Sequence, residues 1–188
     1  MDPAFESHVV AETRAWLEQV VIGLNLCPFA KAVVARQQVR FAVTGAADVA
    51  ALRECLQEEL AFLAAADPAQ LDTTLLICPH TLADFDDYND FLDDADAVLQ
   101  AMDLEGVIQV ASFHPQYRFA DTDPDDITNA TNRSPWPMLH LLREDSVERA
   151  VDAVPDTEAI VEANMRTMRA LGHDGWEALR RRCREDAS

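Results

Sequence analysis

One stretch of the sequence decides the fold class of this chain: residues 73–78, Thr73-Thr74-Leu75-Leu76-Ile77-Cys78. It carries no charged residue and lacks the alternation of apolar and polar side chains that marks a strand with one wet face. Such a run is typical of a strand buried on both faces. Pro79 follows at once and marks the end of the strand. A strand covered on both faces needs helices above and below its sheet, so the stretch predicts an α/β protein.

Two further predicted strands lie on either side of this stretch along the chain, at residues 39–44 and 107–113. The gap before it holds a helix capped by Asp48, and the gap after it holds a second amphipathic helix over about residues 83–102. Strand, helix, strand, helix, strand at these lengths is the signature of two crossover units. The pattern therefore predicts a mainly parallel sheet of about four strands, flanked by helices.

The two ends of the chain supply the remaining elements. Residues 3–22 predict an amphipathic helix with Asp2 as its cap. Residues 138–142 predict a fourth strand, which we expect to lie antiparallel at an edge of the sheet. A ferredoxin-like α+β arrangement is the alternative, because one missed hairpin strand would convert one topology into the other. Closing helices are predicted at 147–154, 158–171 and 175–182.

The chain has 188 residues, which is the size of one domain, so we expect a single domain over residues 1–188. It carries 34 Asp and Glu against 15 Lys and Arg, for a net charge of −19. A field of that sign repels phosphate backbones and anionic lipid, which argues against nucleic-acid and membrane-surface roles. The basic cluster Arg180, Arg181, Arg182 and Arg184 is interpreted as a solvated tail that offsets some of the acidic excess.

The cysteines and the hydropathy pattern bear on the compartment. The four cysteines form no Cys-x-x-Cys pair, and the N-terminal residues lack the order of a signal peptide. No apolar run approaches the ~18 residues that a membrane-spanning helix needs. We therefore expect a soluble protein with reduced thiols in the cytoplasm.

A long loop near the strand ends indicates where a ligand would bind. In open α/β sheets, ligands bind outside the carboxyl ends of the strands, where loops converge. His80 follows the strand at 73–78, and His114 follows the strand at 107–113. From there to Pro137 no periodic pattern is evident, and structureless loops longer than about 12–15 residues in a compact domain are typically functional or disordered. Because its aromatic residues can anchor this loop to the body, we expect a functional site at this edge.

The loop carries groups that grip a carboxylate or a phosphate: Asn129, Asn132, Arg133 and Ser134. In so acidic a chain, a fixed Arg133 beside asparagines makes a local electropositive pocket. The sequence thus predicts a crevice that binds or transforms a small anionic molecule. The same residue types are common turn formers, so a purely structural role of this cluster is the alternative.

Cys27 is the predicted nucleophile of an enzymatic site. Pro28 can open a short helix over residues 29–36, which would place Cys27 at its N-cap, where the macrodipole stabilises a thiolate. Lys31, the only lysine, would add positive charge one turn further on. His114, with an ordinary pKa of about 6.5, is the predicted general acid or base. The structural alternatives are a small buried hydrophobe for Cys27 and a hydrogen-bonded group for His114.

Two other functions rest on different features of the sequence. In the first, Cys27 with His80, His114 or His140 binds a soft metal or haem iron. In the second, the acidic face of the helix at 83–102 lets a non-catalytic module meet a basic protein surface. The residues name neither a cofactor nor a reaction class.

Several segments together resemble one known family. They are VIGLNLCPFA at 21–30, DYNDFL at 87–92, SFHP at 112–115, TNRSP at 131–135, HLLRE at 140–144 and LGH at 171–173. In these segments the chain is similar to a bacterial family catalogued as domain of unknown function fourteen-fifteen. The resemblance implies a stand-alone, single-domain bacterial protein, and it supplies no activity and no catalytic residues. The motif residues that fall in the predicted site are Cys27, His114, Asn129, Asn132 and Arg133.

Overall fold

A computed structural model describes residues 1–152 and 157–187 of the chain. Four strands form one sheet: β1 (Val39–Val43), β2 (Thr73–Ile77), β3 (Ile108–Phe113) and β4 (Met138–Arg143). Their order across the sheet is β1-β2-β4-β3. The pair β1–β2 is parallel, whereas β4 is antiparallel to both of its neighbours, β2 and β3.

The sheet is therefore mixed, and the prediction of a mainly parallel sheet is wrong, although the α/β class is confirmed. β4 runs antiparallel, as expected, but it lies between β2 and β3 instead of at an edge. The pairs Leu76↔Leu139 and Ala111↔His140 fix its register. The elements follow the order β-α-β-α-β-β, not the β-α-β-β-α-β of a ferredoxin-like chain. Only the split β-α-β unit, with β4 inserted between β2 and β3, is shared with that alternative.

Helices cover the two faces of the sheet. The crossover helices α3 (Val49–Ala65) and α4 (Phe85–Ala101) pack on one face, which we call the α3–α4 face. On the other face, the α1–α6 face, lie α1 (Pro3–Trp16) and α6 (Thr157–Asp186). Asp48 caps α3 by accepting a hydrogen bond from a backbone N–H in its first turn, as predicted.

Strand β2 lies in the middle of both apolar cores. Leu76 packs in the cluster beneath α3 and α4, while Leu75 and Ile77 pack in the cluster beneath α1 and α6. All five residues of the strand are buried. The uninterrupted apolar run thus reports burial on both faces, as the sequence predicted.

The first helix continues past Trp16 as a π-helical segment, Leu17–Ile22, so the predicted helical extent of residues 3–22 is confirmed. Asp2 is its cap, because its carboxylate accepts the N–H of Ala4 at 3.1 Å. Gly23 follows the π-helical turn. A Cβ at this position would lie 2.2 Å from the carbonyl oxygen of Gln19, so glycine is required on steric grounds.

The C-terminal part of the chain forms α5 (Glu144–Asp152) and α6. The helix predicted at 147–154 begins earlier, at Glu144, and its residues 153 and 154 lie outside the described residues. The two helices predicted at 158–171 and 175–182 form α6, which is kinked at Gly172, where φ is +67°. Within the described ranges, every helix is too short or too polar to cross a membrane.

Candidate functional site

The predicted site elements meet at one edge of the sheet. Because β1, β2 and β3 run in the same direction, their carboxyl ends share this edge, and β4 begins there. His80 follows β2, His114 follows β3, and Arg133 precedes β4, so all three lie near this edge. The side chains nevertheless divide between the two faces of the sheet, and this division decides which of them can act together.

His114 is fully buried and uses both ring nitrogens within the protein. The N–H of Gln116 donates to Nδ1 at 3.0 Å, so the proton lies on Nε2, which donates to the carbonyl oxygen of Leu82 at 3.0 Å. The rings of Phe85 and Tyr88 lie 5.4 and 5.0 Å from the imidazole. Burial lowers the pKa of His114, so the ring is neutral near pH 7. His114 therefore has a structural role: its hydrogen bond holds the backbone of Leu82, which is in the left-handed region with φ +59°.

The other two candidate imidazoles have separate surroundings. His80 is exposed, and its ring stacks on Phe5 with 5.2 Å between the ring centres. Nε2 of His140 lies 2.7 Å from the hydroxyl of Thr73, and because that hydroxyl donates to the carbonyl of Leu141, the imidazole is the donor of the pair. Although part of His140 reaches solvent, desolvation of its ring lowers the pKa to about 4. His140 is thus a neutral hydrogen-bond donor inside the sheet.

Cys27 does not lie at a helix N-cap, which corrects the prediction. Helix α2 (Ala30–Ala35) begins later, with Phe29 as its cap, and the N–H of Ala30 instead closes a turn on the carbonyl oxygen of Cys27 at 3.3 Å. Cys27 is partly exposed and packs with the cluster on the α1–α6 face. The ring of His114 contacts aromatic residues on the α3–α4 face. The structure therefore places Cys27 and His114 on opposite faces of the sheet.

The predicted metal or haem ligands do not converge. Cys27, His80, His114 and His140 occupy four different surroundings, as described above. In residues 1–152 and 157–187, no group of three or more His, Cys, Asp or Glu side chains is arranged to hold a metal ion. The acidic residues of α4 mostly lie on its exposed face, as the sequence indicated.

The long loop after β3 is held together by its own polar groups. It contains a 3-10 helix, Ile127–Asn132. The fully buried amide of Asn129 accepts hydrogen bonds from the N–H of Phe119 at 3.0 Å and the hydroxyl of Thr122 at 2.8 Å, and it donates to the carbonyl of Asp123 at 2.9 Å. Asn129 therefore ties three points of the loop together.

Asn132 and Ser134 fasten the loop to the strand ends. The amide of Asn132 donates to the carbonyl of Ser112 at 3.2 Å, and the hydroxyl of Ser134 donates to the carbonyl of Trp136 at 2.6 Å. These contacts fix the backbone on both sides of Arg133. The observed role of Asn129, Asn132 and Ser134 is thus structural. Their contact with a ligand stays a prediction.

Arg133 joins the loop to the α1–α6 side of the protein. Its Nε donates to the carbonyl of Tyr117 at 3.2 Å, and its Nη2 donates to that of Pro124 at 2.8 Å. Its own carbonyl accepts the indole N–H of Trp16 at 3.0 Å. Burial, together with the positive charge of Arg180, lowers the pKa of Arg133. Two arginines that are distant in sequence are therefore electrostatic neighbours.

Arg133 and Arg180 both line a small cleft between α1, α6 and the end of the loop. We call it the arginine cleft. Its volume is about 30 Å³, which gives room for a water molecule or the charged end of a small ligand. Two nearly buried indoles, those of Trp16 and Trp176, form apolar walls. The lining residues are Glu12, Trp16, Val20, Arg133, Ser134, Pro135, Trp176, Arg180, Cys183 and Arg184.

The arginine cleft is positive within an acidic protein. Its lining holds three arginines and one carboxylate, that of Glu12. Glu12 is only 6% exposed, and its carboxylate lies 3.9 Å from Nε2 of His8. Burial raises the pKa of the Cys183 thiol, which therefore stays neutral. Arg180 also pairs with Glu177 at 2.9 Å. The cleft thus offers guanidinium donors together with one buried carboxylate acceptor.

Of the two crevices directly over the strand ends, one is acidic and the other has balanced charges. One, of about 560 Å³, is bordered by Asp48, His80, Asp87, Asp90 and Asp94. Another, of about 340 Å³, is bordered by two aspartates and two arginines, Asp84, Asp86, Arg118 and Arg133, with Arg118 paired to Asp86. An anion in either crevice would meet carboxylates. Of these spaces, the arginine cleft is the one whose charge suits an anionic ligand.

Sequence reasoning missed Glu12, Trp16 and Trp176 as cleft residues, and it interpreted Arg180 and Arg184 as part of a solvated tail. Glu12 did carry a signal, because it falls on the apolar stripe of α1 between Val9 and Trp16, where a carboxylate is out of place. No sequence signal marked Arg180 and Arg184 as cleft residues, because α6 reaches the cleft through a long-range contact with α1. Arg180 is half-buried in the cleft, which corrects the solvated-tail interpretation for that residue, whereas Arg184 lines the cleft from an exposed position.

These features define a mixed four-stranded α/β protein with a small cationic cleft beside its sheet. Within that class the chain belongs to the family described as Protein of unknown function (DUF1415), whose model matches residues 8–178. The match includes Glu12, Arg133 and Trp176 and ends before Arg180 and Arg184. Neither the curated proteins nor the solved structures contain a match to the chain.

Proposed function

We propose that this protein binds a small anionic molecule in the arginine cleft. One observation carries the proposal: Arg133, Arg180 and Arg184, from two distant parts of a chain with net charge −19, line one partly buried space. Guanidinium groups pair with carboxylate and phosphate oxygens through charge-assisted hydrogen bonds. Gathering like charges where solvent is scarce costs free energy, and a bound anion offsets that cost.

The carboxylate of Glu12 narrows the class of ligand. It is buried in the same cleft as the arginines, so a fully deprotonated dianion would face it without a hydrogen bond between them. A ligand with a hydroxyl or an acidic proton beside its charged group donates to Glu12 while its oxygens accept from the arginines. A protonated phosphate, a singly protonated phosphate monoester or a hydroxycarboxylate meets this requirement, whereas sulfate does not.

As in the sequence prediction, Arg133 binds an anionic ligand. The residues that act with it are different, because Arg180 and Arg184 take the place of Cys27 and His114. Asn129, Asn132 and Ser134 act in it by holding the loop that carries Arg133. Cys27 and His114 take no part in the binding step, because neither lines the cleft. The proposed activity is binding, and the roles of Cys27 as nucleophile and His114 as acid or base stay predictions.

A titration of the full-length protein with inorganic phosphate, followed through the indole N–H signals in proton–nitrogen NMR spectra, tests the proposal. The signals of Trp16 and Trp176 should move with a saturable dependence, while that of Trp136, outside the cleft, serves as an internal reference. Sulfate at equal ionic strength should bind more weakly. Arg180→Gln should weaken phosphate binding by about tenfold or more.

Arg181→Gln is the matched control, because it removes the same charge from an exposed neighbouring position outside the cleft. Phosphate affinity should be unchanged in this variant. Equal weakening by both substitutions would show only a response to net charge and would overturn the proposal. A response of the Trp16 and Trp176 signals that never saturates would do the same.

We also propose that the protein works in the reducing cytoplasm. All four of its thiols are unpaired, and those of Cys78 and Cys183 are buried. Free thiols of this kind suit a compartment in which thiols stay reduced. Alkylation of protein trapped directly from lysed cells and then unfolded should label every cysteine, and a disulfide found in that sample would contradict the assignment.

A further inference from the structure

The free edge of β1 is a second surface that departs from the acidic character of the protein. β1 pairs with β2 on one side only. A groove of about 550 Å³ runs beside its other side, between α1 and α3. Among the described residues that line this groove are Arg14 and Arg40, and none of them is Asp or Glu. In a chain with net charge −19, such a lining is a local reversal of charge.

The backbone along this edge has unused hydrogen-bonding groups. The N–H of Thr44 donates to the carbonyl of Ile77 in β2 at 2.9 Å, so the even-numbered residues of β1 face β2. Backbone groups alternate along a strand, and those of Val39, Phe41 and Val43 therefore point away from the sheet. No backbone group of another element in the described part of the chain bonds to these three residues. The edge is thus an open template for one more strand.

An arginine stands on an aromatic ring on each side of this edge. On the α1–α6 face, the guanidinium of Arg14 lies 4.5 Å from the centre of the Phe41 ring. On the α3–α4 face, that of Arg40 lies 4.7 Å from the centre of the Phe62 ring. Arg40 donates to Glu59 through Nε and Nη2, which leaves Nη1 for another partner. Phe62 is 51% exposed, an unusual degree for a phenylalanine next to a strand edge.

We propose that the free edge of β1 binds an extended acidic segment of a partner protein, which adds to the sheet as a further strand. Such a strand pairs its backbone with Val39, Phe41 and Val43 and points successive side chains to opposite faces. Two consecutive acidic residues then reach Arg14 on one face and Arg40 on the other. Charge complementarity selects this occupant, because within the described structure no ion pair joins Arg14 to a carboxylate, and Arg40 keeps Nη1 for another acceptor beside its pair with Glu59.

A second copy of this chain fits the edge less well. Pairing of β1 with another β1 brings two arginine-lined grooves together, and it does so between chains that each carry a net charge of −19. Like charges would meet both at the contact and over the wider surface. The acidic segment avoids the first of these repulsions and replaces it by an ion pair with Arg14 and a hydrogen bond from Nη1 of Arg40.

Synthetic peptides and the full-length protein test this proposal. The probe is an extended peptide with a Glu-Asp pair flanked by valine and threonine, and the matched peptide has Gln-Asn in place of that pair. The acidic peptide should bind about tenfold or more tightly than its amide counterpart. Arg14→Glu should weaken its binding by at least as much. Arg166→Glu, at an exposed position on α6 away from the groove, should leave binding unchanged.

Backbone methylation of the peptide separates strand addition from simple charge attraction. N-methyl groups on alternate residues remove the donors from one edge of the peptide and leave those of the other edge. One phase of methylation should abolish binding to the wild-type protein, and the opposite phase should preserve it. Circular dichroism confirms that Arg14→Glu is folded, and the methylation series needs no protein variant.

Three results would overturn the proposal. They are no binding of the acidic peptide, an equal effect of the two methylation phases, and an equal loss of binding in Arg14→Glu and Arg166→Glu. A dimer in sedimentation experiments that Arg14→Glu abolishes, in protein that ignores the peptide, would assign the edge to a second copy instead.

Discussion

The indole nitrogen of Trp16 donates to the carbonyl oxygen of Arg133 at 3.0 Å. This hydrogen bond joins the first helix to the segment that leads into β4. Both residues line the arginine cleft, so the hydrogen bond lies in its wall. The bond also makes the position of Arg133 depend on the packing of α1, so that distant parts of the chain determine one wall of the proposed binding site.

Trp16→Phe should therefore lower the free energy of unfolding by roughly 1–3 kcal/mol, because the carbonyl of Arg133 loses its partner and the cleft loses part of a ring. Urea unfolding measures this change. Trp136→Phe is the matched control, since the buried indole nitrogen of Trp136 has no hydrogen-bond partner within the described structure. The control should lose less stability, and an equal loss in the two variants would show that the hydrogen bond contributes nothing.

Arg143 should be intolerant of replacement, because its buried guanidinium binds the free carbonyl groups at the C-terminal end of α3. Nη2 donates to the carbonyls of Leu63 at 2.5 Å and Ala66 at 2.8 Å, and Nε donates to that of Leu71 at 3.2 Å. Lysine cannot reproduce this fork, so Arg143→Lys should cost about 2–4 kcal/mol in chemical denaturation. Arg149→Lys, at an exposed site, should stay within about 0.5 kcal/mol of the wild type. A comparable cost at both sites would contradict this account of Arg143.

Gly23 should resist even the smallest substitution. A methyl group there would lie 2.2 Å from the carbonyl oxygen of Gln19, so Gly23→Ala must displace the π-helical turn and should lose about 1–3 kcal/mol of stability. Gly45→Ala is the control, because the nearest atom to its added Cβ is 3.9 Å away. Thermal unfolding of the two variants checks this, and a Gly23→Ala protein as stable as Gly45→Ala would refute the steric argument.

Stability should fall on mild acidification because of His140. Its pKa is lowered to about 4 in the folded protein, so between the ordinary value of about 6.5 and that pH the unfolded chain binds more protons. The contribution of His140 is fully present above about pH 6.5 and is lost as the pH falls toward 4, by at most about 3 kcal/mol. The lowered pKa of His114 acts in the same direction.

His140→Gln isolates this effect, because glutamine can still donate to Thr73 but does not titrate. Unfolding in urea at about pH 7 and about pH 5 should show a smaller loss of stability in the variant than in the wild type. The carboxylates titrate in both proteins and cancel in the comparison. Equal losses would mean that His140 does not titrate differently in the folded and unfolded chains.

The sequence was most informative where one residue pattern has one physical cause. The apolar run of β2 predicted burial on both faces, and Asp48 predicted the start of α3, because each signal is local. The run at Met138–Arg143 also has few polar residues and indicates an inner strand by the same reasoning, although the sequence prediction places it at an edge. A long irregular loop precedes it and fixes neither its direction nor its neighbours, so its place between β2 and β3 was not predicted.

The candidate site was predicted less well, for a different reason. Hydrogen-bonding residues look the same in a sequence whether they bind a ligand or the backbone, and Asn129 and His114 are engaged by the backbone in this fold. Arg133 was located correctly near the start of β4, but its neighbour Arg180 lies on α6. Packing between helices brings these charges together, and no local pattern encodes that contact.

The inner position of β4 also constrains synthesis of the protein. A nascent chain that has not yet emerged beyond residue 137 contains β2 and β3 but not the strand that separates them. Each of those strands then exposes an unpaired edge to other polypeptides on the ribosome, which is a known route to aggregation. We therefore expect the sheet to close late in translation, and C-terminally truncated chains that lack β4 to need chaperones to remain in solution.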